Sequence, residues 1–191
     1  MNEFEDYKKE KLVIDIAWAN KFGLLFIIPI VLIFGIPFFF IWKSEILNMQ
    51  DIMKTILENN INILIFTFIL ILGVVVHELI HGVFFAAFAK RGFKSIKFGV
   101  LWKMITPYCH CKEPLKVKHY ILGAIAPAIV LGVIPAITSL FTGSIWLLIF
   151  GIIFTLAACG DFLIINLLIK EKPNDYVEDH PSEVGCFIYR K

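Results

Sequence analysis

Charge is what this sequence has least of. Only 18% of its 191 residues are Asp, Glu, Lys or Arg, where a soluble domain has about 25%. Apolar residues make up 59%, and the mean hydropathy is +0.81. A chain this apolar is not intrinsically disordered. Four cysteines are too few for a disulfide-stapled secreted scaffold. Twelve glycines and eight prolines form no linker and no collagen-like repeat. No internal repeat and no glycine loop for phosphate is present. A cleavable signal peptide needs a basic start, but the first ten residues carry Glu3, Glu5, Asp6 and Glu10. What remains is a membrane protein, read as one domain over residues 1–191.

Four stretches reach the roughly 20 apolar residues that a spanning helix needs. They cover about residues 22–42, 61–89, 120–141 and 145–169. The apolar runs are continuous and do not alternate, so helices are expected rather than strands. The fold class is therefore an all-α integral membrane protein with four transmembrane helices. Pro29, Pro37, Pro127 and Pro135 fall inside the spans, where they are tolerated and are expected to kink them.

The net charge of +2 becomes informative once it is divided along the chain. Sixteen of the 18 basic residues lie in residues 1–21, the 90–119 loop and the tail from Lys170; only Lys43 and Lys54 fall between the first two spans. The positive-inside rule then puts both termini, the 90–119 loop and the 170–191 tail in the cytoplasm. Because these cations adjoin spans, they face lipid headgroups, and nucleic acid is not an expected partner. Within 93–111 the alternation is partial. Ile96, Phe98 and Val100 share one parity and Lys97 has the other. This fits either a short β-hairpin at the membrane surface or an interfacial loop that only anchors spans two and three. Residues 12–20 offer a weak amphipathic pattern for lying flat on the membrane.

Thirty-two of the 34 charged residues stay outside the spans; the two inside are Glu78 and Asp161. Glu78 belongs to His77-Glu78-Leu79-Ile80-His81, an H-E-x-x-H pattern. Residues four apart share a helix face, so both imidazoles can reach one metal ion. The glutamate, about 100° further round, can address a water without ligating the metal. Neutral imidazoles bind zinc and leave a position open, and zinc lowers the pKa of its water to about 7. With five His and ten Glu in the chain, chance yields roughly 0.007 such motifs.

Asp161 is nine residues before Lys170, and His81 is nine before Lys90. Both thus lie about 13 Å from the same membrane face. Asp161 is a third metal ligand on this reading. Alternatively its carboxyl bonds Asn166 or backbone near Gly160. Cys109-His110-Cys111 offers half of a zinc site, with His119 the nearest further donor. The simpler reading is a turn with small polar residues. Asp179, His180 and Glu183 form a polar cluster in the tail, read as a surface turn.

With these residues in view, the chain resembles the site-2 protease superfamily of intramembrane zinc metalloproteases over about residues 61–169. More closely, it resembles the small bacterial four-span proteins known as "putative zincin peptidases". Residues 107–115 (PYCHCKEPL), Gly160-Asp161 and 179–185 (DHPSEVG) are similar to that family's signatures. The resemblance implies a zinc metalloendopeptidase of a bacterial plasma membrane. It implies Zn2+ held by His77, His81 and Asp161, Glu78 as catalytic base, and a membrane protein or peptide as substrate. Two elements differ from site-2 proteases. Phe162, not Gly, follows the aspartate, and the Asn/Pro element near the active site is reduced to residues 123–127 (GAIAP). No separate substrate-binding module is present. A non-catalytic membrane protein that binds metal or a partner is therefore the alternative, and a zinc transporter is a weaker third.

Overall fold

A computed structural model describes residues 4, 6–47, 60–102, 106–180 and 185–191. Strand β1 (Lys8–Val13) leads into helix α1 (Ile16–Leu47) and helix α2 (Asn60–Phe88). Strands β2 (Ile96–Leu101) and β3 (Thr106–Cys111) follow, then the two-residue β4 (Leu115–Lys116) and α3 (Val117–Pro127). A π-helical stretch at Ala128–Val133 joins α3 to α4 (Ile134–Thr142). The chain ends with α5 (Ile145–Ala157), α6 (Cys159–Leu168), β5 (Tyr176–Asp179) and β6 (Gly185–Arg190).

Among the described residues, Lys21–Ile46, Ile61–Phe88 and Val117–Thr142 are long and apolar enough to cross a membrane. Their large side chains are widely exposed, as on Leu24, Phe40, Leu64 and Phe68, which suits lipid contact. This is a helical membrane protein. The stretch expected as a continuous fourth span is instead two helices, α5 and α6, meeting at 44°. The break falls at Ala158, just ahead of Gly160.

Prolines do not set all the bends. In α1 the helical backbone is interrupted at Trp42, not at Pro29 or Pro37. The Trp42 indole N–H donates to the Leu140 carbonyl at 3.1 Å. Its ring lies against Gly143, which closes α4 at φ 69°, a conformation glycine takes without steric penalty. Pro127 and Pro135 flank the π-helical stretch, where wider hydrogen bonding accommodates their missing N–H groups.

The all-α expectation needs correction. Strands β2 and β3 pair antiparallel, Ile96 opposite Cys111 and Leu101 opposite Thr106, so residues 96–111 form a two-stranded sheet. A second sheet, in the order β1-β6-β5-β4, joins the two ends of the chain. Residues 8–13, partly inside the segment read as lying flat, are thus a strand paired with Gly185–Arg190. Helix α1 starts only after Asp15, whose side chain accepts the Trp18 N–H at 2.8 Å as a helix cap does. The tail also caps α3. The Val117 and Lys118 N–H groups donate to the carbonyls of Asp175 and Pro173, which satisfies donors left unpaired at a helix start.

The buried core lies where the four-stranded sheet meets the helix ends. Val177, Cys186 and Ile188 of the sheet pack with Leu115, Val117, Tyr120 and Leu168, and with Phe85 of α2 and Cys111 of β3.

Candidate metal centre

His77 and His81 stand one turn apart on α2, 7% and 6% exposed. Their Nε2 atoms are 3.2 Å apart. Asp161 sits in the first turn of α6, so the break at Ala158 starts a new helix just before it. Its Oδ2 is 3.3 Å from His77 Nε2 and its Oδ1 is 3.3 Å from His81 Nε2. The carboxylate therefore faces the two imidazoles, rather than Asn166 or the backbone near Gly160. Among the described residues this trio is the convergent set of metal-type donors, its ligand atoms within 4.8 Å of one another.

The donor set fits zinc. Adjacent ligands of a tetrahedral ion bound at 2.0–2.1 Å stand about 3.3 Å apart, close to the separations seen here. His81 Nδ1 lies 2.9 Å from the Gly123 carbonyl. A carbonyl only accepts, so Nδ1 carries the proton and a neutral His81 turns its Nε2 lone pair toward His77 and Asp161. Metal-binding histidines commonly donate their second ring nitrogen in this way. The His77 Nδ1 is buried without such a partner among the described residues.

The trio lines a cavity of about 320 Å3 together with Glu78. The lining also includes Pro107, Tyr108 and Cys109 of β3, Phe85 of α2, and Tyr120 and Ala124 of α3. The Cys109 amide faces the Glu78 carboxylate. Lys112 donates to the Ser95 carbonyl, which fixes the alternation of the β2–β3 ladder. Cys109 and Cys111 consequently turn their backbone N–H groups away from β2. Pro107 takes a position of the same kind and forfeits no ladder bond.

The Cys-His-Cys segment is not a turn, and among the described residues it joins no cluster of three metal-type donors. It lies in β3, where Cys109 and Cys111 share one face and His110 takes the other. Burial pushes the Cys109 thiol well up and the Cys111 thiol to about 11. Both therefore stay protonated near neutrality. The His119 ring stacks on Phe88 at 4.0 Å. His180 packs on Phe187, away from the trio. Asp179 does not lie on a surface turn. It ends β5 with its side chain 14% exposed, while residues 181–184, including Glu183, lie outside the described residues. Burial pushes the Asp179 carboxyl up, against the donors that surround it.

Tyr120 and Phe85 are the lining groups that sequence reasoning missed. Tyr120 and Phe85 carry no signal in an apolar span. The 93–111 alternation was the available sign of β3.

Fold and centre together define a helical membrane protein in which two buried histidines and a half-buried aspartate meet beside a glutamate. A sequence model of the family described as "Putative zincin peptidase" matches residues 70–176, more than half of the chain. The chain belongs to this family, whose name carries a metallopeptidase activity and a zinc cofactor. No curated protein and no solved structure matches the chain.

Proposed function

We propose that the protein is an intramembrane zinc metallopeptidase that cleaves membrane-associated polypeptides near the cytoplasmic face. The observation that carries this reading is the 3.2–3.3 Å convergence of His77, His81 and Asp161 on a cavity that also holds Glu78. His77, His81 and Asp161 are the zinc ligands. When bound, zinc supplies a Lewis acid that polarises the scissile carbonyl and lowers the pKa of water to about 7. The Glu78 carboxylate takes the proton of the attacking water as its oxygen bonds the carbonyl carbon, and passes it to the amine nitrogen as the C–N bond breaks. Phe85, Ala124 and Ile164 keep bulk water from the cavity walls.

The carbonyls of Pro107 and Cys109 lie on the β3 edge turned away from β2, where the Cys109 N–H meets the Glu78 carboxylate. An extended substrate segment docks there by main-chain hydrogen bonds. In this reading α5 and α6 together form a fourth, broken span. Both termini and the β2–β3 hairpin then lie on the cytoplasmic side, where sixteen basic residues gather.

The test compares purified wild-type protein with Glu78→Gln, and the membrane proteomes of strains carrying each. Both proteins should hold about one zinc per chain, and only the wild-type strain should show substrate cleavage. Full proteolysis by Glu78→Gln would overturn the mechanism. Zinc without any differing substrate would favour a non-catalytic metal-binding protein.

A further inference from the structure

The carboxylate of Asp179 lies outside the family-matched segment and takes no part in the chemistry above, yet two hydrogen-bond donors and a histidine ring nitrogen converge on it. The backbone N–H of Cys111 donates to Oδ2 at 2.9 Å. His110 Nδ1 lies 3.5 Å from the same oxygen. The Tyr120 hydroxyl donates to Oδ1.

These groups belong to two elements that line the cavity, β3 and α3. Cys111 and His110 end β3, whose preceding residues line the cavity, and Tyr120 lines it directly. Tyr120 stacks on Phe85 with centroids 5.0 Å apart, and Phe85 stacks on His81 at 5.8 Å. The Cys111 N–H points away from β2, so without Asp179 it would be a donor with no ladder partner in a residue only 1% exposed. A carboxylate this far from solvent needs several donors, and it recruits one set from β3 and another from α3.

We propose that Asp179 is a positioning residue that latches the cavity-lining edge of β3 to Tyr120 and so sets the opening in front of the His77–His81–Asp161 cluster. The use of that opening for substrate rests on the metallopeptidase reading; the latch itself rests on the three contacts.

The experiment uses the full-length protein in detergent micelles. Iodoacetamide labelling is followed over time, with Cys109, Cys159 and Cys186 read separately by tandem mass spectrometry, and bound zinc is measured alongside. Asp179→Ala should label Cys109 at least about tenfold faster, because local opening of a strand exposes it without global unfolding. Rates at Cys159 and Cys186, and zinc content, should stay at wild-type values. Asp179→Asn keeps one acceptor oxygen and should fall between. If Asp179→Ala does not accumulate, Tyr120→Phe removes one donor, keeps the ring, and should raise the Cys109 rate in the same direction. An unchanged Cys109 rate overturns the latch. So does a joint rise at Cys109 and Cys186, which reports loss of the sheet rather than release of one strand. Absence of zinc from the wild type would count against the metallopeptidase reading alone, since the Cys109 rate still decides the latch.

Discussion

His81 donates its Nδ1–H to the carbonyl of Gly123 at 2.9 Å, and that carbonyl comes this close because residue 123 has no side chain. A Cβ there would stand 2.5 Å from Cδ1 of Phe85, the ring that itself stacks on His81. Gly123→Ala should therefore push α3 from α2, weaken the bond that orients His81, and lower zinc affinity by about 10–100-fold, as loss of such supporting bonds does. Competition with a zinc chelator measures this. Gly160→Ala is the control, because its Cβ would meet nothing within 4 Å. Equal affinities for wild type and Gly123→Ala would show that the bond does not orient the ligand.

Asp161 contributes charge as well as shape. Its two oxygens each sit 3.3 Å from a histidine Nε2, so Asp161→Asn preserves the outline while removing the anion. Bound zinc should fall from about one per chain to below about 0.1 after gel filtration. A variant that keeps full zinc would mean that the two histidines hold the ion without the carboxylate.

The meeting of His77, His81 and Asp161 was legible in the sequence because charge within long apolar stretches is rare and the i, i+4 spacing of His77 and His81 is rigid. Depth counting from Lys90 and Lys170 was enough to bring Asp161 to them, even though the apolar stretch carrying it is broken at Ala158. The four-stranded sheet was not legible. Its strand Lys8–Val13 is mostly charged and shows no strand pattern, and it pairs with Gly185–Arg190 at the far end of the chain, a contact that no local pattern encodes. Asp179 was hidden for the same reason. It is an ordinary tail carboxylate until β5 folds it against β3 and Tyr120.

Acid should loosen the joint between α2 and the hairpin through Glu113. Its carboxylate accepts the Arg91 Nε–H at 2.5 Å and the Lys90 backbone N–H at 2.8 Å. The Arg91 guanidinium, with the neighbouring donors, holds its pKa down at about 2, against about 4.3 for an unperturbed glutamate. A group whose pKa is lowered by folding stabilises the fold above its unfolded value, and loses that contribution as pH falls toward its folded value. The thermal midpoint of wild-type protein should therefore exceed that of Glu113→Gln at pH 7, and the gap should close between about pH 4.3 and 2. A gap that is the same at pH 7 and pH 2 would show that shape, not charge, sets the contribution of Glu113.

Gly151 tests the packing of α5 against α4 and the π-helical stretch. A Cβ at this position would lie 2.6 Å from the Ala136 backbone nitrogen and 2.7 Å from the Gly132 carbonyl oxygen. These are backbone atoms of α4 and the π-helical stretch, and they cannot turn aside as a side-chain end can. Helix α5 approaches them without a side chain between, and Thr155, one turn on, bonds back to the Gly151 carbonyl at 2.7 Å. Gly151→Ala should therefore destabilise the protein by about 1–3 kcal/mol, the usual penalty for overpacking, seen as a lower thermal midpoint in micelles. Zinc content well below that midpoint should be unchanged, since the trio is carried by α2 and α6. Loss of zinc from folded Gly151→Ala would instead show that the α4–α5 contact sets the angle at Ala158 and, through it, the place of Asp161.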